Sequence, residues 1–145
     1  MPLVTALRLV LPALLLFLAD QLIKVLAVRH LAKGPWVLVA PWVQFRYTTN
    51  PPRSQRFSHN RVSLLFLWGA TLVSLVLFMG QGALFQHPVA QMGLGAALGG
   101  AASNLYDLLR RGAVIDLVKI GWWPVFNLAD VGITAGAIAA LWFIR

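Results

Sequence analysis

The sequence predicts an all-α integral membrane protein of one domain, with four transmembrane helices and a small loop or hairpin region on one side. Three observations carry this. Of 145 residues, 59% are hydrophobic. Only 11% are charged, against about a quarter in a soluble domain. Four stretches are long and apolar enough to cross roughly 30 Å of hydrocarbon, which takes about 20 helical residues. They cover residues 7–28, 62–79, 88–109 and 125–144.

The first stretch has the apolar run of a signal peptide. It also carries Asp20 and Lys24 near its end, and Ala27-Val28-Arg29 is a poor small-residue cleavage site, so a retained helix is expected. The second and third are joined by residues 80–87, which contain no Lys or Arg. Residues 29–61 form a long, basic connection with Pro and Trp, and residues 110–124 a shorter one whose Trp122 and Trp123 suit a membrane interface. Four spans put the two longer connections on one side and both termini on the other. Within 37–47, VLVAPWVQFRY, alternation is partial and broken by Pro41. A short interfacial hairpin and an irregular loop are both compatible with it.

The chain has no cysteine, which excludes thiolate chemistry. Its net charge of +8 favours membrane lipids with anionic headgroups as partners over nucleic acid. No basic run interleaved with aromatics forms a nucleic-acid surface.

The acids carry the most information. There are four, all Asp: Asp20, Asp107, Asp116 and Asp130. An ionised Asp at the centre of a membrane helix costs about 2.5–3.5 kcal/mol on insertion scales, so such residues are functional candidates. Asp20 and Lys24 share a helix face and can pair. Asn104 and Asp107 share a face at the end of the third span, after a run of Gly and Ala that lets helix backbones approach closely. Asn127 and Asp130 are likewise three apart near the start of the fourth span, just after Pro124, where simple capping of that helix is the plainer reading. Asp116 lies between these spans in the alternating run Ala-Val-Ile-Asp-Leu-Val, read as a loop. Chain direction then gathers all four Asp residues, with Asn104 and Asn127, at one membrane face.

The chemistry open to such a cluster is narrow. His30, His59 and His87 form no HExxH motif and no close pair, and there is no Gly-x-Ser-x-Gly. Two adjacent carboxylates share a proton: one acts as base toward water and the other polarises a carbonyl. An intramembrane aspartic hydrolase and a proton-coupled transporter both remain open on the residues alone, and 145 residues are few for the latter unless it oligomerises.

At these residues the chain resembles the lipoprotein signal peptidases (signal peptidase II, aspartic peptidase family A8). Asp20-Gln-Leu-Ile-Lys24 is similar to the first motif, and Asn50 in Tyr47-Thr-Thr-Asn50 to the family's conserved Asn. Gly99-Gly-Ala-Ala-Ser-Asn-Leu-Tyr-Asp107, Gly112-Ala-Val-Ile-Asp116 and Phe126-Asn-Leu-Ala-Asp130 resemble the remaining motifs. The resemblance runs nearly end to end. It implies four transmembrane helices with an extracytoplasmic β-cradle, in a bacterial inner membrane, with the site at the extracytoplasmic face. It implies an endopeptidase that needs no cofactor or metal and cuts signal peptides from prolipoproteins carrying a diacylglyceryl-cysteine. By the same mapping Asp116 and Asp130 are the catalytic pair. Asn50, Asn104 and Asn127 hold substrate or pair, Asp20 and Lys24 support the site, and Gly100, Asp107 and Ala129 are structural.

Three departures stand out. Asn50 is followed by Pro51-Pro-Arg-Ser-Gln-Arg-Phe57 where the family carries a small-residue turn. Asp107 is followed by Leu108 where the family has Arg, with Arg110 and Arg111 as the nearby cations. Nine of the twelve Lys and Arg residues lie in or beside the two longer connections (Arg29, Lys33, Arg46, Arg53, Arg56, Arg61, Arg110, Arg111, Lys119). The positive-inside rule puts those connections in the cytoplasm, opposite to the family topology. These departures define the alternative: a weak or inactive paralogue serving as a binding subunit with a membrane-complex partner. A small proton or ion conductor is the third reading.

Overall fold

The computed structural model describes residues 3–31, 37–49 and 86–143. The second expected span, Asn50 and the Pro51–Phe57 segment lie outside the described residues. Along the chain run helix α1 (Leu3–Leu31), strands β1 (Val37–Ala40) and β2 (Val43–Thr49), helix α2 (Pro88–Arg111), strand β3 (Ile115–Ile120) and helix α3 (Leu128–Trp142).

Helix α1 has 29 residues, about 43 Å at 1.5 Å per residue. Its burial is inverted relative to a soluble helix. Leu11, Leu14, Leu15, Leu18 and Leu22 are exposed, while two of its four buried residues are Asp20 and Lys24. Apolar outside and charged inside is the pattern expected where lipid is the solvent.

Helix α2 packs against the other two described helices through small residues. A Cβ on Gly93 would lie 2.7 Å from the Gly136 carbonyl oxygen of α3, and one on Gly100 would lie 2.5 Å from that of Ala129. On its other side Gly95 and Gly99 meet the α1 backbone at Leu9 and Ala13. Without a hydrophobic drive between helices in lipid, such close backbone approach is what holds them together. The helix starts at Pro88, with His87 accepting from the Val89 N–H. It stops at Gly112, whose φ of 75° is cheap only for glycine. Helix α3 begins at Leu128, three residues later than the expected edge of the fourth span, because Asn127 caps it and Asp130 closes a reciprocal capping box.

The sheet is antiparallel in the order β1-β2-β3, so 37–47 is a hairpin. Residues 115–120, read from sequence as loop, form its third strand, and this corrects the placement of Asp116. The alternating run noted around Asp116 is the period-2 signal of this strand, with Ile115 and Leu117 on one face. Ile115 and Leu117 are buried against Ala27, with Leu31, Tyr47 and Val118 packed around them. The sheet is thereby seated on the last turns of α1. Phe126 bridges antiparallel to Val118 on the free side of β3, which delivers the chain directly into the α3 cap.

Candidate active site

The polar residues picked out by sequence converge where the ends of α1 and α2, the start of α3 and strand β3 meet. Lys24 and Asp107 are 0% exposed and Asp20 is 1% exposed. Lys24 Nζ lies 2.6 Å from Asp20 Oδ2 and 2.7 Å from Asp107 Oδ2, and donates to Asn104 Oδ1 at 3.1 Å. Buried charges are tolerated only when paired and hydrogen-bonded, and each of these is. Asp20 also accepts from Ser103 Oγ at 2.6 Å and from the Ala129 N–H at 2.9 Å, tying the three described helices to one carboxylate.

Asp107 gathers contacts from α1, α2 and β3. Besides Lys24 it accepts from Gln21 Nε2 at 3.0 Å and pairs with Arg111 one turn on. It also accepts from the Ile115 N–H at 3.4 Å, linking α2 to β3. Arg111, rather than Arg110, is the arginine beside this Asp, from position i+4. Arg111 also donates to Gln21 Oε1 at 3.0 Å. The formal charges of Asp20, Lys24, Asp107 and Arg111 cancel.

Above this neutral base stand Asp116 and Asp130. Asn127 touches both: its Nδ2 lies 3.1 Å from Asp116 Oδ1, and its backbone N–H donates to Asp130 Oδ2 at 3.1 Å. The same Nδ2 faces Asn104 Oδ1 at 3.1 Å and the Ile115 carbonyl at 3.2 Å. Three acceptors thus share two amide hydrogens. Asn104 Nδ2 donates to Asp130 Oδ1 at 2.8 Å. The capping reading of Asn127 and Asp130 is correct as far as it goes, and Asn127 in addition reaches Asp116.

Of the residues singled out by sequence, Asp20, Lys24, Asn104, Asp107, Asp116, Asn127 and Asp130 meet here. Gly100 and Ala129 form the close helix contact beneath them. Gln21 and Ser103 were not anticipated. Each lies beside a motif residue on the same helical turn, and that adjacency was the only signal.

The chain matches the family model described as Signal peptidase (SPase) II over residues 12–145. It belongs to the signal peptidase II family. A lipoprotein signal peptidase of Rhodococcus jostii is 39% identical over 126 residues, covering 82% of this chain and 63% of the relative. One from Mycolicibacterium smegmatis is 36% identical over 133 residues, covering 87% and 55%. The chain thus spans 63% and 55% of the lengths of these two relatives. Two solved structures described as bacterial membrane enzymes superpose with a TM-score of 0.72 at 22% and 23% identity. They cover 90% of this chain and 88% and 83% of their own, which shows a shared fold. Membership of signal peptidase II, with the apolar α1, places the chain in a membrane.

Proposed function

We propose that this protein is an aspartic endopeptidase that removes signal peptides from diacylglyceryl-modified prolipoproteins, with Asp116 and Asp130 as its catalytic pair. The observation that carries the reading is Asn127, which bonds both carboxylates from one residue, through Nδ2 to Asp116 and through its N–H to Asp130. Family membership supports the reaction class.

In this reading the pair holds one proton. The ionised partner takes a proton from water as the oxygen attacks the scissile carbonyl carbon. The protonated partner donates to the carbonyl oxygen as it becomes tetrahedral. Collapse breaks the C–N bond, and the leaving amine takes a proton from the pair. Asn104 and Asn127 aim the carboxylates. Lys24, Asp20, Asp107 and Arg111 hold those amides in place without adding net charge. Asn50 is assigned to substrate through the resemblance alone. A cavity of about 330 Å³ is lined by Asp130 and Thr134 together with Trp123, Phe126, Val131, Ala135 and Ile138, a mostly apolar wall that suits an apolar substrate. No cofactor enters the scheme.

In this reading the protein has four transmembrane helices, both termini are cytoplasmic and the site faces an exported substrate. Loop charge argues for the opposite orientation. Ser54→Cys, in a chain without native cysteine, decides: labelling only from the cytoplasmic side would remove the secreted-side assignment. The activity is tested by cleavage of a diacylated prolipopeptide by purified wild type, Asp116→Asn and Asp130→Asn. Cleavage by wild type and none by either folded variant is expected. Full activity in either variant overturns the catalytic pair.

A further inference from the structure

The sheet has two faces with different tasks. Tyr47 packs with Ile115 and Leu117 against the end of α1. The alternation of side chains along β3 puts Asp116, and with it the paired Thr48, on the other face. These two are direct partners in the β2–β3 ladder, and opposed residues in an antiparallel pair have Cβ atoms about 4.5–5.5 Å apart. A bulge lies just before Thr48 in this pairing, and such irregularities re-aim a side chain.

Thr48 Oγ1 is buried and has no hydrogen-bond partner among the described residues. That is costly: an unpaired buried hydroxyl forfeits its hydration with nothing in return. In a helix a threonine can bond the carbonyl four residues back, as Thr134 Oγ1 does with Asp130 O at 2.9 Å. A strand offers no such local acceptor. Asn127 cannot help, since three acceptors already share its two amide hydrogens.

We propose that Thr48 is a substrate-binding residue whose hydroxyl donates to a backbone carbonyl oxygen of the extended peptide beside the scissile bond. This rests on the assignment of Asp116 to the catalytic pair. An extended peptide laid against the Asp116 face brings backbone carbonyl oxygens to the side of the sheet that carries Thr48, and its hydroxyl, covered and unpaired in the free protein, becomes satisfied only when one of them reaches it. The cost in the free protein is recovered on binding.

The test separates this role from a structural one by the sign of two effects. Thr48→Val keeps the shape and removes the hydroxyl; Thr48→Ser keeps the hydroxyl. With a diacylglyceryl-cysteine prolipopeptide, Thr48→Val is expected to lower kcat/KM roughly threefold to tenfold, the span of one neutral hydrogen bond. Thr48→Ser should stay within about twofold of wild type. Without substrate, Thr48→Val should melt at the same temperature as wild type or higher, because it removes an unpaired polar atom. Unchanged cleavage by Thr48→Val overturns the proposal, as does a parallel loss of activity and melting temperature. The Kd of a non-cleavable analogue of the same lipopeptide is measured alongside. If wild type fails to cleave, the peptidase reading falls, and the Kd still decides Thr48: equal values for wild type and Thr48→Val overturn the contact.

Discussion

Lys24 Nζ donates to Asn104 Oδ1 across 3.1 Å inside the helix bundle. A lysine ammonium can only donate, so this contact fixes which end of the Asn104 amide faces which neighbour. The oxygen turns to Lys24 and the nitrogen to Asp130, 2.8 Å away. A charge on α1 thereby orients a carboxylate on α3 through a side chain on α2.

Lys24→Met should accordingly do more harm than its size suggests. It leaves Asp20 and Asp107 buried with one cation between them. Breaking a buried pair by removing one partner costs about 3–5 kcal/mol. The measurement is thermal or denaturant unfolding in detergent. Adding Asp20→Asn to Lys24→Met restores charge balance against Arg111, so the double variant should recover more than about 1 kcal/mol over simple additivity. Strict additivity would mean that the base of the site is not electrostatically coupled.

Arg111 and Arg110 make a paired control. Only Arg111 reaches Asp107 and Gln21, and its side chain is 28% exposed. A charged hydrogen bond is worth about 1.5–3 kcal/mol when dry, and partial solvation lowers that. Arg111→Gln should cost about 1–2 kcal/mol, with Arg110→Gln within about 0.5 kcal/mol of wild type. Equal effects would show that Arg111 does not replace the Arg missing at Leu108.

Gly100 tests the helix contact under the site. A methyl there would lie 2.5 Å from the Ala129 carbonyl oxygen, a backbone atom that moves only if α3 moves. The Ala129 N–H holds Asp20 Oδ1 at 2.9 Å, and Asp130 is the next residue. Gly100→Ala should cost about 1–3 kcal/mol, the range of an overpacked core, and should lower cleavage by displacing Asp130. Unaltered stability and turnover would mean that α3 can slide away without disturbing the acids.

Sequence reading went furthest where a relationship is local. The Asp20–Lys24 pair lies one turn apart on a single helix, and Asn127-x-x-Asp130 reads as a cap because its geometry repeats in every helix. It went less far where partners come from distant segments. Gln21 and Ser103 look like ordinary polar residues until α1 and α2 approach along their small residues, and then each finds Asp107 or Asp20. Asp116 was read as a loop acid because its strand is short and pairs with residues some seventy positions earlier. Its ladder partner Thr48 drew no attention, since nothing in Tyr47-Thr-Thr announces which hydroxyl will face an acid. The choice between Arg110 and Arg111 is one of helical phase, settled once Asp107 is buried and Arg111 stands one turn above it.

Asn127 serves two ends, and they can be pulled apart. Its Oδ1 accepts from the Asp130 N–H at 2.9 Å as the helix cap, while its Nδ2 reaches Asp116. Serine caps helices about as well as asparagine but has no amide nitrogen with which to reach Asp116. Asn127→Ser keeps the cap but strips the amide hydrogens from three buried acceptors, so it should stay folded at a cost of about 1–3 kcal/mol, and Asn127→Ala should lose about 0.5–2 kcal/mol more with the cap. If the proposed pair is catalytic, both variants should cleave poorly, with the fall mainly in kcat, because the contact positions Asp116 for the transition state rather than for binding. The comparison that matters is Asn127→Ser. A folded protein with low kcat assigns the residue to aiming Asp116. A folded protein with wild-type kcat leaves Asn127 as a cap and nothing more, and removes the observation on which the assignment of Asp116 and Asp130 as a pair chiefly rests.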